Sequence, residues 1–475
     1  MSKTILLNQS DWHFTKENPG IPTAVMGEAI ALPHTWNAVD GQDGGNDYYR
    51  GTCWYTLALA KPTIPAGGKA VLQLDGAAMT AAVYLNGEKL AEHKGGYSTF
   101  RVDLTDHLKE ENLLAISVDN SDNDTVYPQK ADFTFYGGIY RDVTLHIVPA
   151  EHFALPANGA PALKVTPIVT DLAARTSEIT VEAAVVDAQN VTFALEGQTL
   201  TAPVEKGTAK VVFTLNNAHL WDGVDDPFLY TVSAKLDNGE ETSARFGCRK
   251  FEIDPQKGFI LNGREYPLRG VSRHQDRKGA GIALTNEMME EDISIILEMG
   301  ANTIRLAHYQ HAQYFYDLCD EKGLVIWAEI PYITMHMPNG RANTLTQMEE
   351  LIVQNYNHPC IAVWGLSNEI TAASAVNEDL LENHRLLNEL AHKLDSTRKT
   401  TMANVFMLET TSPILEIPDV NSYNLYFGWY LGELEQNDEF FNKYHADYPD
   451  RCIGLSEYGA DANPQYQNSH PEKGD

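Results

Sequence analysis

The 475-residue sequence has only five cysteines: Cys53, Cys248, Cys319, Cys360 and Cys452. They stand singly, with no CxxC pair and an odd total, which argues against a disulfide framework or a zinc knuckle and leaves reduced, mostly buried thiols as the expectation. Long apolar runs are missing too. The start offers only Ile5-Leu6-Leu7, and nothing approaches the ~20 apolar residues of a membrane-spanning helix, so no membrane association and a cytoplasmic location are expected. Basic side chains are scarce: 35 Lys and Arg stand against 65 Asp and Glu, a formal charge of −30. That field repels phosphate backbones and anionic lipid, which makes nucleic acid and acidic membranes poor partners and leaves uncharged molecules such as sugars unaffected. Disorder is excluded as well, because 43% hydrophobic and 9% aromatic residues supply ample core.

The length suggests roughly three domains of about 150 residues. Residues 1–150 alternate in short runs such as Ala70 to Leu74, Ala82 to Leu85 and Leu114 to Val118, broken by Gly, Asn and Asp. That is the punctuation of a β-sandwich, with Asn86-Gly87 as a type I′ hairpin turn. After the Pro- and Ala-rich stretch Pro149 to Pro161, alternation resumes in Ser177 to Val186, Val191 to Leu195, Lys210 to Leu215 and Leu229 to Leu236. Residues 151–252 therefore fit an immunoglobulin-like sandwich.

From residue 253 to 475 the period changes, and apolar strand-like runs alternate with amphipathic helices. The strands are expected at Tyr266 to Val271, Asn302 to Ala307, Leu324 to Ile330, Ile361 to Ser367, Thr400 to Asn404, Asp419 to Leu425 and Cys452 to Ser456. Helices include Asn286 to Met299, capped by Thr285 and closed by Gly300, and Asn377 to Leu394. Seven βα repeats without a dinucleotide-binding glycine fingerprint predict a (β/α)₈ TIM barrel, here unfinished after strand seven.

Reactive side chains of such barrels project from the C-terminal strand ends. Those positions are polar here: His274 and its neighbours after strand one, Arg305 and His308 after strand two, Glu329 after strand three, Asn368-Glu369 after strand four, Asn424 and Tyr426 after strand six, and Glu457-Tyr458 after strand seven. Glu369 and Glu457 each end an otherwise apolar strand, and strands four and seven face each other across a barrel mouth. Two such carboxylates are what glycosidic cleavage requires, one as proton donor and one as nucleophile or base. Crowding two like charges in a cleft pushes one pKa up, which separates the two roles. No tight Asp/Glu/His cluster with metal spacing is present, so no metal and no cofactor are expected.

The runs RGVSRHQD (269–276), NTIRLAHY (302–309), Asn368-Glu369 after Trp-Gly-Leu-Ser, and SEYG (456–459) resemble, in this order, the family 2 glycoside hydrolases. The runs LPHTWN (32–37), YRGTCWY (49–55) and GGIYRDV (137–143) resemble that family's jelly-roll sugar-binding domain, and Leu220-Trp221 with PFLY (227–230) its immunoglobulin-like domain. The resemblance implies a multidomain β and α/β protein whose Glu369 is the general acid/base and Glu457 the nucleophile. It further implies that Asn368 contacts the hydroxyl beside the reacting carbon and that Tyr426 hydrogen-bonds the nucleophile. Asp132 is expected to reach the barrel mouth from the first domain and grip sugar hydroxyls, with Arg305, His308 and His274 near the sugar or the catalytic pair and Trp429 as a subsite wall. Trp364 and Trp327 are expected in the barrel core, and Tyr309, Tyr423, Trp429 and Tyr458 as the better-placed stacking platforms. Glu329 and His336 match less clearly.

The reading that follows is a retaining exo-β-glycosidase acting on a carbohydrate substrate, with β-galactosidase first and β-glucuronidase as runner-up. The run EYGAD (457–461) is shared with the latter. A third reading is a carbohydrate-binding protein whose barrel no longer turns over, since the unfinished barrel predicts weak or absent turnover by these 475 residues. A homo-oligomer is compatible with all three.

Overall fold

The computed structural model describes residues 1–40, 48–460 and 468–469; Asp461 of the EYGAD run lies outside them. The first domain is two facing antiparallel sheets. A six-stranded sheet runs in the order Glu28–Ile30, Trp12–Thr15, Thr52–Ala60, Glu111–Asp119, Thr80–Leu85, Glu88–Lys94, and a four-stranded one in the order Lys3–Leu6, Val143–Val148, Lys69–Leu74, Phe100–Asp103. Their inward residues, among them Trp12, Tyr55, Leu72, Val83 and Ile116, form one buried cluster. The expected hairpin is present, with Asn86 at φ +55° and Gly87 at φ +86°.

The second domain packs a sheet around Thr176–Val186 against one built on Asn190–Leu195 and Tyr230–Leu236. Strict alternation makes this possible: in Thr208–Leu215 every second side chain is buried, adding Val211, Phe213 and Leu215 to a core that holds Val181, Phe193 and Val232.

The third domain opens with a feature the sequence pattern did not suggest. Phe251–Asp254, Gly258–Leu261 and Arg264–Glu265 form a small antiparallel sheet, whose Phe259 and Leu261 join the barrel's own core. Consequently the first barrel strand is not Tyr266 to Val271 but Gly270–Arg273. Pro267 has no N–H for a ladder, and at Gly270 the chain comes so close to strand two that a Cβ would lie 1.8 Å from the Thr303 carbonyl oxygen.

Strands two to seven are Thr303–Leu306, Val325–Glu329, Ile361–Asn368, Lys399–Val405, Val420–Asn424 and Ile453–Glu457, all parallel and paired in sequence order. Helices α1 (Asn286–Glu298), α2 (Gln313–Lys322), α3 (Arg341–Asn355), α4 (Glu378–Leu394) and α5 (Gln436–Asp447) cover them. Thr285 caps α1 and Asn377 caps α4, each accepting a backbone N–H with its side chain. Between strands five and six only the short 3₁₀ turn Pro413–Glu416 replaces a helix. The Ser272 hydroxyl reaches the Ser456 carbonyl at 3.4 Å, so strand one curls back toward strand seven and the barrel nearly closes. Among the described residues there is no eighth strand.

The first domain docks on the barrel through the Tyr97 and Tyr309 rings, stacked at 4.3 Å, and through Arg141, whose Nη2 donates to the Gln310 carbonyl at 2.8 Å. The five cysteines are free, four of them buried and Cys452 half-buried. Among the described residues no helix is long and apolar enough to cross a membrane.

Candidate active site

Strand four is buried along its whole length, and its last residue, Asn368, is followed by Glu369 in the left-handed region at φ +45°. A non-glycine residue there costs of order 1–3 kcal/mol and persists only where its surroundings hold it. Here the Glu369 N–H donates to the Ala403 carbonyl of strand five at 2.8 Å. Glu457 ends strand seven, Arg305 lies within strand two with His308 just beyond it, and Glu329 ends strand three.

These side chains form one network. The Arg305 guanidinium donates from Nη1 to Glu457 Oε1, from Nε and Nη2 to the two oxygens of Glu329 at 3.1 and 2.8 Å, and from Nη2 to Asn368 Oδ1 at 2.8 Å. The Tyr426 hydroxyl donates to the other Glu457 oxygen at 2.6 Å, and His308 Nε2 stands 3.7 Å from Oε1. Asn424, which ends strand six, donates from Nδ2 to Glu369 Oε1 at 3.0 Å and accepts the Ser456 hydroxyl at 2.7 Å.

The two carboxylates are driven apart in acidity. Burial raises Glu369, the Asn424 hydrogen bond opposes this, the Glu457 charge adds to it, and the net direction is up. Burial also penalises the Glu457 anion, but the Arg305 charge, His308 and the Tyr426 hydrogen bond outweigh it and bring its pKa to about 2. At neutral pH Glu457 is therefore an anion. Tyr426 keeps its proton, because burial and the neighbouring Glu457 push its pKa up. Burial, aided by the neighbouring His308, holds His274 near a pKa of about 3, a neutral imidazole. One carboxyl biased toward its acid form and one held ionised in the same network is the arrangement that a proton donor paired with a nucleophile requires.

Of the expected site residues, Glu369, Glu457, Asn368, Tyr426, Arg305 and His308 meet in this network. His274 is its neighbour, with its ring 5.1 Å from that of His308. Asp132 is exposed and makes none of these contacts, but Phe133 beside it packs 4.9 Å from the His274 ring and 5.8 Å from the His308 ring, so the first domain does deliver this segment to the mouth. Trp429 is buried, and among the described residues its indole N–H has no partner. Two of the expected stacking platforms are not available to a ligand: Tyr309 is covered by Tyr97, and Tyr423 is fully buried. Trp364 is core as expected, donating to Asp395 at 3.0 Å, whereas half-buried Trp327 lies under the Arg305 guanidinium at 5.1 Å. His336 lies outside the network and pairs with Asp379 and Tyr332.

Glu329 and Asn424 stood among the polar strand ends but were assigned no role in the site. Their only sequence signal was a polar residue ending an apolar strand. The one trio of metal-type ligands among the described residues, Asp317, Asp320 and His358, lies near the opposite end of strand four, with atoms already engaged by Arg245, Cys360 and one another.

Comparison with known proteins matches residues 26–149 to the sugar-binding domain, 157–249 to the central domain and 252–470 to the TIM-barrel domain of glycosyl hydrolases family 2. A β-glucuronidase of Bacteroides fragilis is 35% identical over 98% of this chain and 69% of its own length. A β-galactosidase of Thermoanaerobacter pseudethanolicus is 30% identical over 78% of this chain and 51% of its own length. Among solved structures, an FMN-binding β-glucuronidase from Facaelibacterium prausnitzii L2-6 superposes with a TM-score of 0.93 at 42% identity, covering 100% of this chain and 74% of that one.

Proposed function

The chain belongs to glycosyl hydrolases family 2, and from that premise we propose that it carries the catalytic centre of a retaining exo-β-glycosidase with β-D-glucuronides as substrates. The single observation that carries the chemistry is the opposed acidity of Glu369 and Glu457 in one network. Glu457 attacks the anomeric carbon as an anion while Glu369 passes its proton to the departing glycosidic oxygen. The C–O bond to the aglycone breaks and an ester to Glu457 forms. Glu369, now ionised, takes a proton from water, whose oxygen displaces Glu457 and releases the sugar.

Arg305 and Tyr426 steady the Glu457 carboxylate between the two steps. Asn368 faces the hydroxyl next to the reacting carbon, and Asp132, carried in beside Phe133, binds hydroxyls farther out. For the sugar, the order of expectation reverses: relatives named β-glucuronidase stand at 35% and 42% identity, against 30% for the β-galactosidase of Thermoanaerobacter pseudethanolicus. The glucuronide reading therefore comes before the galactoside one.

Hydrolysis of 4-nitrophenyl β-D-glucuronide and β-D-galactoside, assayed side by side on the protein, Glu457→Gln and Glu369→Gln, tests this. The expected result is a higher kcat/KM for the glucuronide and a loss of at least about a thousandfold in Glu457→Gln. Faster galactoside cleavage reverses the substrate assignment, and unchanged turnover by Glu457→Gln removes the nucleophile.

A further inference from the structure

Glu329 is fully buried, and a charge removed from water in this way needs a compensating set of partners. Its set is complete: Oε2 takes the Arg305 Nε proton at 3.1 Å, and Oε1 takes one from Nη2 at 2.8 Å and faces His308 Nδ1 at 2.9 Å. An ionised carboxylate can only accept, so Nδ1 of His308 carries a proton. The 3.2 Å approach of Arg305 Nη2 to the same Nδ1 is then a contact between two donors, and both Nη2 protons are already spent on Glu329 and Asn368. The fork leaves Nη1 as the guanidinium corner directed at Glu457. Holding Nδ1 likewise turns His308 Nε2 toward Glu457, 3.7 Å from its Oε1. Space for this arrangement is made at Gly365, where a Cβ would lie 2.4 Å from that of Glu329.

We infer that Glu329 is a positioning residue for glycoside cleavage: it touches no substrate, clamps Arg305 so that one guanidinium corner meets the nucleophile, and holds the His308 ring by its Nδ1 proton. The inference rests on the reading of Glu457 as nucleophile. A buried counter-ion with only a structural role would fill the same space, but its removal would not act through Arg305. The two alternatives differ in sign as well. Losing the clamp releases Arg305 from Glu457 and raises the pKa that governs the acid limb. Deleting a negative charge beside an Arg305 that stays in place would lower it.

The experiment measures kcat, KM and the acid limb of kcat/KM with 4-nitrophenyl β-D-glucuronide for the protein, Glu329→Gln, Glu329→Asp, Arg305→Lys and the double variant Glu329→Gln/Arg305→Lys, with Glu457→Gln as control. Expected for Glu329→Gln are a kcat lower by roughly a hundredfold, a KM little changed and an acid limb moved to higher pH. Glu329→Asp, which keeps the charge, should recover part of each. In the Arg305→Lys background the same Gln substitution should cost less than about threefold, because the path through Arg305 is already broken.

An acid limb that stays or moves down, or losses that multiply independently in the double variant, overturns the inference while leaving Glu457 in its role. Should thermal melts show that Glu329→Gln does not fold, the direction of the limb in Glu329→Asp decides the matter in the same way. If instead Glu457→Gln is indistinguishable from the protein itself, the glycosidase reading is what fails.

Discussion

Arg305 and Glu457 are ion-paired at the barrel mouth, whereas Glu369 has no ion pair among the described residues and is held by the neutral amide of Asn424 at 3.0 Å. A cation on one carboxylate and an amide on the other gives two glutamates opposite tendencies within one network. Most of the chemistry assigned to this protein follows from that asymmetry.

Acid assistance by Glu369 matters most for poor leaving groups. Glu369→Ala should cleave 4-nitrophenyl glycosides with a loss far smaller than that for alkyl glycosides of the same sugar, the gap being about a hundredfold or more. Steady-state rates on the two substrate types measure it; equal losses on both would place the proton donor elsewhere.

The pH dependence has a defined sign. Turnover needs Glu457 ionised and Glu369 protonated, so kcat/KM should fall at the acid side toward about 2 and at the basic side above Glu369's raised pKa. Tyr426→Phe removes a hydrogen bond to the anion and should move the acid limb to higher pH, with kcat down about tenfold. A pH–rate profile of each protein reads both limbs.

Stability follows the same groups with opposite signs. The folded pKa of Glu457 is depressed from 4.5 to about 2, so its contribution is fully present above 4.5 and is lost as the pH falls through about 2. Glu457→Gln should therefore melt lower at pH 7, by up to about 3 kcal/mol, with the difference closing in acid. Glu369 is raised, so Glu369→Gln should melt higher at neutral pH and show no gain below about 4.5. Thermal melts across pH test the pair; two shifts of equal sign would contradict the assignment.

Removing Arg305 exposes the cost of Glu329. Arg305→Met leaves a fully buried carboxylate with His308 as its remaining partner and should destabilise the fold by about 3–5 kcal/mol. Urea denaturation measures it.

Asp132 is exposed on a segment that Phe133 anchors over His274 and His308. Asp132→Ala should leave the melting temperature unchanged and raise KM about tenfold or more, the cost of one charge-assisted hydrogen bond. An unchanged KM would remove Asp132 from the sugar site.

Glu369 and Glu457 were legible because each ends a run of apolar residues, and the Asn86-Gly87 turn because two positive φ values demand those residue types. What the sequence hid depends on contacts between distant strands. Glu329 looks like any strand-terminal acid until strand two brings Arg305 to it. Tyr309 and Tyr423 resemble sugar platforms until Tyr97 and the barrel core cover them. The small sheet at Phe251–Glu265 displaced the first barrel strand because Ile260 and Leu261 find partners locally, at Glu265 and Arg264, before the barrel begins. The residues alone did not separate the two sugars, because the catalytic pair is common to both substrate classes.

The most direct measurement of the central claim is covalent trapping with a 2-deoxy-2-fluoro-β-glucuronyl fluoride, followed by proteolysis and mass spectrometry. The account predicts a single adduct on the peptide bearing Glu457 and none in Glu457→Gln. An adduct on Glu369 or on any other residue would contradict it.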